Sequence, residues 1–93
     1  MVIIAVENIV GYADPHLYVW GDREACGGWP GAAPIGSKTI DDVDYLYWEF
    51  TSAGETEHLI FNNNGGGSQT PDYDVILDRD YYLTVTAEGV TAK

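Results

Sequence analysis

The recurrence of short β-type runs between turn residues limits what this chain can fold into. No window long enough for three helical turns keeps apolar residues at the i, i+3, i+4, i+7 spacing without a Gly, Pro or Asn interruption. Runs rich in Val, Ile, Tyr, Trp and Thr recur instead, separated by turn residues. This pattern predicts an all-β fold, an antiparallel β-sandwich. The predicted strands are Val2–Asn8, His16–Trp20, Tyr45–Thr51, Glu57–Asn62 and Tyr81–Thr86, with weaker candidates at Lys38–Ile40 and Asp74–Leu77.

Alternation within these strands separates a core face from a second face. In the second predicted strand, Leu17 and Val19 share one face, which is suited to the core. The other face of that strand carries only rings, those of His16, Tyr18 and Trp20. The predicted core consists of Ile4, Val6, Leu17, Val19, Leu46, Trp48, Phe50, Leu59, Phe61, Leu83 and Val85.

The length and the charge of the chain exclude several classes of function. The 93 residues suffice for one domain, which we predict to span residues 1–93. With 15 acidic and 4 basic residues, the formal net charge is -11. Nucleic acids and anionic membrane surfaces need clustered Lys and Arg, so neither is an expected partner. No apolar run reaches transmembrane length, so we expect no membrane insertion. A neutral ligand such as a sugar is not repelled by this charge.

The residue types and their spacing give little indication of catalytic, metal-binding or redox chemistry. Cys26 is the only cysteine, so the chain cannot form an internal disulfide or a Cys-based zinc site. Asp41, Asp42 and Asp44 are the densest carboxylate cluster, but adjacent acids on a turn are normally solvated. A glycosidase instead needs two carboxyl groups flanking one bond. A calcium ion bound by such a loop stays an alternative, although the full EF-hand pattern is missing. We expect no catalytic residue, no cofactor and no bound metal.

Aromatic side chains give the strongest indication of function. The chain has three Trp, seven Tyr and two Phe, more rings than a core of this size needs. Tyr18 lies opposite the core face of its strand, and Trp29 lies in a loop rich in glycine and proline. An aromatic ring can bury the C–H face of a pyranose, while nearby amides and hydroxyls bind its edges. These two residues therefore predict a sugar-binding surface. The alternative is that Trp29 is a hydrophobic plug that holds its loop onto the sandwich, and that Tyr18 packs against the same loop.

Four short motifs occur along the chain in a specific order. They are His16-Leu17-Tyr18-Val19-Trp20-Gly21, Gly28-Trp29-Pro30-Gly31, Leu59-Ile60-Phe61-Asn62-Asn63 and Ser68-Gln69-Thr70. Together they resemble the family 26 starch-binding modules, and the related families 25 and 53 share the architecture. The resemblance implies an immunoglobulin-like β-sandwich that carries no catalytic residues and binds starch, amylose and maltooligosaccharides. It also implies a module of a larger amylase or of a starch-binding surface protein, located outside the cell or on its surface.

The same resemblance assigns the ligand-binding residues. Its stacking platform corresponds to Tyr18, Trp29 and His16, although the family has another aromatic residue where this chain has His16. It implies that Gln69 hydrogen-bonds the 2- and 3-hydroxyls of a glucose, assisted by a neighbouring side chain. Trp20 is expected to be partly buried and to support the loop. The complete set of expected ligand-binding residues is His16, Tyr18, Trp29, Gln69, Thr70 and Asn64.

Starch is favoured over cellulose because an α-1,4 chain coils. A ring on a strand and another on a facing loop can be tilted to follow a curved ligand, whereas a flat cellulose face suits coplanar rings. We expect the chain to be a monomer. The alternatives are a sandwich for protein interaction, with its rings buried in an interface, and a small hydrolase, for which no nucleophile or acid/base arrangement can be named.

Overall fold

Two β-sheets that share one hydrophobic core make up the fold. The computed structural model describes residues 1–21 and 23–92, and this part of the chain contains eight strands and no helix. The all-β sandwich predicted from the sequence is confirmed. The strands are β1 (Val2–Asn8), β2 (His16–Trp20), β3 (Gly36–Ile40), β4 (Val43–Phe50), β5 (Thr56–Asn62), β6 (Tyr73–Ile76), β7 (Tyr81–Thr86) and β8 (Gly89–Ala92).

The strand order places β1 in the centre of the larger sheet. The five-stranded sheet has the order β3-β4-β1-β7-β8, and the three-stranded sheet has the order β2-β5-β6. Neighbouring strands of the described chain are antiparallel, as predicted, except for β1 and β7, which are parallel. No hairpin joins β1 to β7, so turn geometry does not dictate their relative direction.

The core lies between the sheets and matches the alternation of the sequence closely. All of the predicted core residues are buried except Leu46, which is only partly buried. Leu46 pairs with Ser37 on the edge strand β3, and Ser37 is itself exposed and provides little cover. The sequence prediction missed Val2, Val75 and Leu77, which are also buried in the core. It also missed β8, a four-residue strand with little apolar pattern.

The loop between β2 and β3 contains Cys26, which packs against the core. Burial raises the pKa of the Cys26 thiol from 9.0 to about 11, although hydrogen bonds with the backbone of Val19 and Ala32 act in the opposite direction. The thiol therefore acts as a small apolar group that fastens the loop to the sandwich.

The raised pKa of Cys26 predicts slow alkylation and slow disulfide exchange in the folded protein. Near about pH 8 the thiolate fraction should be about 100-fold lower than in the unfolded chain, since two pKa units separate the states. Because the folded-state pKa is the higher one, the associated stability is present below pH 9.0 and is lost as the pH rises through about 11. An Ellman titration with and without guanidinium chloride tests this. Equal rates in the two states would contradict it.

Candidate functional site

The outer face of the three-stranded sheet carries a row of rings. Leu17 and Val19 fill the core, so the alternate residues of the edge strand β2 point outward. The ring of Tyr18 stacks on that of Trp20, with centroids 5.0 Å apart and an interplanar angle of 18°. Trp20 in turn contacts His58 across the sheet at 5.3 Å. Trp20 is thus partly buried, as expected, but its ring contacts are with Tyr18 and His58 of the sheet, whereas the sequence predicted that it supports the loop.

Tyr18 and Trp29 form an open corner at the end of this row. Their ring centroids are 5.4 Å apart, and the planes meet at 82°. Trp29 is 44% exposed, although it is a large apolar side chain. The tilted arrangement of a strand ring and a loop ring, which the sequence predicted, is therefore confirmed. We call this pair the Tyr18–Trp29 corner.

Backbone contacts fasten the Trp29 loop to the edge of β2. Leu17 and Ala32 exchange two backbone hydrogen bonds, of 2.9 and 3.0 Å. Trp48 of the opposite sheet donates its Nε1–H to the Ala32 carbonyl at 2.9 Å. Gly31 lies so close to β2 that a Cβ atom at this position would be 2.1 Å from the Leu17 carbonyl oxygen. Only glycine fits this approach, which holds the Trp29 loop against β2 from one side.

Asn62 holds the same loop from the other side. Its buried side chain donates from Nδ2 to the Pro30 carbonyl at 3.0 Å and accepts from the Gly65 N–H at 2.8 Å. The bond to Gly65 is a local turn contact, whereas the bond to Pro30 joins two segments that are distant in the sequence. A Cβ atom on Gly65 would lie 3.5 Å from Trp29 Nε1, so the loop after β5 supports the indole.

Asp14 connects two of the expected ligand residues, His16 and Asn64. His16 donates from Nδ1 to the Asp14 carbonyl at 3.1 Å, because a carbonyl oxygen can only accept. Asn64 donates from Nδ2 to Asp14 Oδ2 at 2.9 Å. The His16 side chain is only 15% exposed, so it offers little ring surface for stacking. Asn64 is exposed and lies beside the corner. Asp14 was missed because nothing in its local sequence indicates these partners.

Gln69 and Thr70 point in opposite directions. Gln69 is exposed and bridges to Asn62, which in turn pairs with His16, so these residues form one row across the sheet. Thr70 is 5% exposed, and its Oγ1 accepts a hydrogen bond from the Phe61 N–H at 3.1 Å. The expected ligand contact from Thr70 does not fit this geometry. Adjacent residues of an extended segment face opposite sides, so an outward Gln69 leaves Thr70 inward.

Within residues 1–21 and 23–92, no three His, Cys, Asp or Glu side chains come together in a way that could hold a metal ion. The same residues include no helix with the length and apolarity needed to span a bilayer.

Comparisons with known proteins identify the family. The family model "Starch-binding module 26" matches residues 4–75. A crystal structure of CBMbc (family CBM26) from Eubacterium rectale Amy13K, in complex with maltoheptaose, matches with a TM-score of 0.68 at 16% sequence identity. The match covers 99% of this chain and 44% of that chain, so this chain spans less than half of the matched one. No curated protein matches the sequence significantly. Since the family model covers most of the chain, the chain belongs to the family of starch-binding module 26.

Proposed function

We propose that this chain is a non-catalytic module that binds starch and maltooligosaccharides at the Tyr18–Trp29 corner. The observation that carries the proposal is the pair of rings at 82°, one of them 44% exposed on a tethered loop. An α-1,4-glucan turns as it extends, so successive glucose units can present their C–H faces to walls that are not coplanar. Each stacked ring contributes about 1 to 2 kcal/mol.

Polar groups beside the corner can satisfy the sugar hydroxyls. Gln69 and Asn64 are exposed amides, each able to donate and accept. Together with two stacked rings they support a dissociation constant on the order of micromolar to millimolar. The relative from Eubacterium rectale, which was solved with maltoheptaose, supports the choice of α-1,4-glucan as the ligand. His16 serves mainly to position the site because its ring is largely covered.

The family also supports a proposal for the parent protein. We assign the chain as one monomeric module of a larger extracellular or cell-surface protein, such as an amylase or a starch-binding surface protein. Starch that lies outside the cell is accessible only to a secreted or displayed protein. The second candidate is a protein-interaction sandwich, for which a large exposed indole is also suited.

The Trp29→Ala variant should lose glucan binding while keeping its fold. Removing one of two rings should weaken binding at least about 10-fold. The indole is nearly half exposed, so we expect a small change in melting temperature. Affinity electrophoresis in gels cast with soluble starch, dextran or a β-glucan measures binding, and thermal unfolding measures stability.

Ile35→Ala is the matched control because Ile35 is 56% exposed and lies outside the corner. It should be retarded by starch like the wild type. Retained starch binding together with a large drop in melting temperature for Trp29→Ala would show that the indole is a packing plug. Absence of retardation of the wild type in every gel would overturn glucan binding and favour the protein-interaction candidate.

A further inference from the structure

A second ring corner lies on the opposite side of the sandwich. Tyr45 of β4 and Tyr82 of β7 both point outward from the five-stranded sheet, because their neighbours Leu46 and Leu83 face inward. The two tyrosine rings have centroids 5.7 Å apart and planes at 73°. This is close to the 5.4 Å and 82° of the Tyr18–Trp29 corner. A similar ring geometry therefore occurs on both sides of the sandwich.

The second corner opens into a concave surface. A depression of about 410 Å³ is lined by Ile40, Asp41, Val43, Tyr45 and Tyr82. We call this depression the Tyr82 trough. A second depression begins beside it at Val43 and Tyr45, but its residues Asn8, Ser37 and Asp44 alternate in phase with the inward-facing Val6 and Leu46, so it opens on the other side of the sheet.

The trough combines an apolar wall with a polar rim, an arrangement that suits a sugar. Tyr45 is only 5% exposed, so Tyr82, Ile40 and Val43 supply most of the accessible apolar surface. The polar groups at its rim are the Asp41 carboxylate and the Tyr82 hydroxyl. A pyranose has the matching division, with apolar C–H faces and hydroxylated edges.

The charge of the trough narrows the chemistry of its ligand. The turn between β3 and β4 places Asp41 at the rim and Asp42 next to it, with positive φ angles of 51° and 65°. Their carboxylates accept hydrogen bonds and cannot donate them. On a chain with a net charge of -11, such a rim repels anionic ligands and suits a neutral donor-rich one. A hydroxyl-rich oligosaccharide fits this description.

We propose that the Tyr82 trough is a second binding site for α-glucan, with a lower affinity than the Tyr18–Trp29 corner. The proposal rests on the proposed glucan binding, since the same ligand is expected on both sheets. It is weaker because one of its two rings is almost completely covered, so we expect a dissociation constant on the order of millimolar or above.

Two sites on opposite sheets have a consequence for insoluble starch. The smallest dimension of the molecule is 22 Å, so glucan strands bound on the two faces would be distinct or widely separated segments. One protein could then hold two strands of a granule at once. Simultaneous binding raises apparent affinity without new contacts, because the second event becomes intramolecular. Soluble short oligosaccharides would not show this gain.

A titration of the isotope-labelled chain with maltoheptaose, followed by amide NMR, distinguishes the two sites. The proposal expects saturable shifts around Trp29 and separate, weaker shifts around Val43 and Tyr82. Shifts around Trp29 alone would overturn the second site and leave the proposed function intact. Shifts at the trough alone would support the second site and overturn the proposed role of the corner. Absence of shifts at either place would overturn both.

A matched pair of variants tests the role of the ring. Tyr82→Leu keeps an apolar side chain and removes the planar face. Tyr47→Leu is the control, since Tyr47 lies on the same outer face but does not line the trough. We expect Tyr82→Leu to lower the apparent affinity for insoluble starch about 10-fold or more, with no change in maltoheptaose shifts around Trp29. An equal loss for Tyr47→Leu, or no loss for Tyr82→Leu, would overturn the proposal.

Discussion

Gly31→Ala is expected to abolish glucan binding and to destabilise the protein strongly. A Cβ atom at position 31 would lie 2.1 Å from the Leu17 carbonyl oxygen and 2.7 Å from the Tyr18 Cα atom. Both are backbone atoms, so no side-chain rotation can relieve the clash. The φ angle of +92° adds strain for any residue with a side chain. The loop must therefore lift off β2 and break its two hydrogen bonds with that strand.

The loss of this contact also separates the two walls of the Tyr18–Trp29 corner, so affinity should fall together with stability. We expect a cost on the order of 3 kcal/mol, which corresponds to a fall in melting temperature of at least about 10 °C for a domain of this size. Thermal unfolding monitored by circular dichroism, combined with titration by maltoheptaose, measures both effects.

Gly28→Ala is the control in the same loop. A Cβ atom at position 28 would meet nothing within 4 Å, and no positive φ is required there. This variant should bind and melt like the wild type. If both substitutions had the same effect, loop composition rather than the close approach at Gly31 would be responsible.

Arg23→Ala should produce the second large effect, because it leaves a buried carboxylate without its counter-charge. Glu57 is 1% exposed and points inward from β5, in the same row as Leu59 and Phe61. Arg23 Nε lies 4.0 Å from Glu57 Oε1, which is too long for a hydrogen bond. Among the residues that the structure describes, neither carboxylate oxygen has a hydrogen-bond partner. The guanidinium is fixed by a 2.5 Å bond from Nη2 to the Thr51 carbonyl.

Removing one partner of a buried pair costs about 3 to 5 kcal/mol. The Arg23 side chain is 36% exposed, so solvent screening reduces the expected loss to about 2 to 3 kcal/mol. Chemical denaturation of the wild type and the variant measures it. Adding Glu57→Gln to Arg23→Ala should restore part of the stability, since the second change removes the uncompensated charge.

A shorter ion pair on the surface provides the control. Arg79 Nε is only 2.6 Å from Asp78 Oδ1, but both side chains are about half exposed, at 59% and 47%. Solvent weakens such a pair, so Arg79→Ala should melt almost like the wild type. A similar loss from both arginine variants would mean that burial does not determine the contribution of an ion pair in this protein.

Local alternation explains why much of the fold could be predicted. The apolar residues Leu17 and Val19 predicted that one face of β2 packs in the core, which placed Tyr18 on the outer face. Trp29 lies in a Gly/Pro loop, where no alternation pattern predicts that it is buried. The limits of β1, β2 and β7 agree with the prediction because their turn residues are unambiguous. Alternation also places Thr70 inward once Gln69 is exposed, so the ligand contact expected from Thr70 could have been excluded from the sequence.

Contacts between distant parts of the sequence account for most of what could not be predicted. The bond from Asn62 to Pro30 joins residues 32 positions apart, and nothing in either segment specifies the other. The close approach of Gly31 to Leu17 is likewise invisible in a glycine-rich loop. Glu57 begins a predicted strand, where a charged residue is expected to be solvated, yet the Arg23 side chain allows its burial.

The Trp29 loop is held by Gly31 and Asn62 through contacts made entirely within the protein. The entropy of ordering this loop is therefore lost during folding and not during ligand capture. The unfavourable conformational entropy of binding then falls mainly on the glucan, whose glycosidic torsions must be restricted to match the corner. An α-glucan whose curvature is already fixed by cyclisation would lose less freedom than a linear one of equal length, and the protein would favour it for that reason alone.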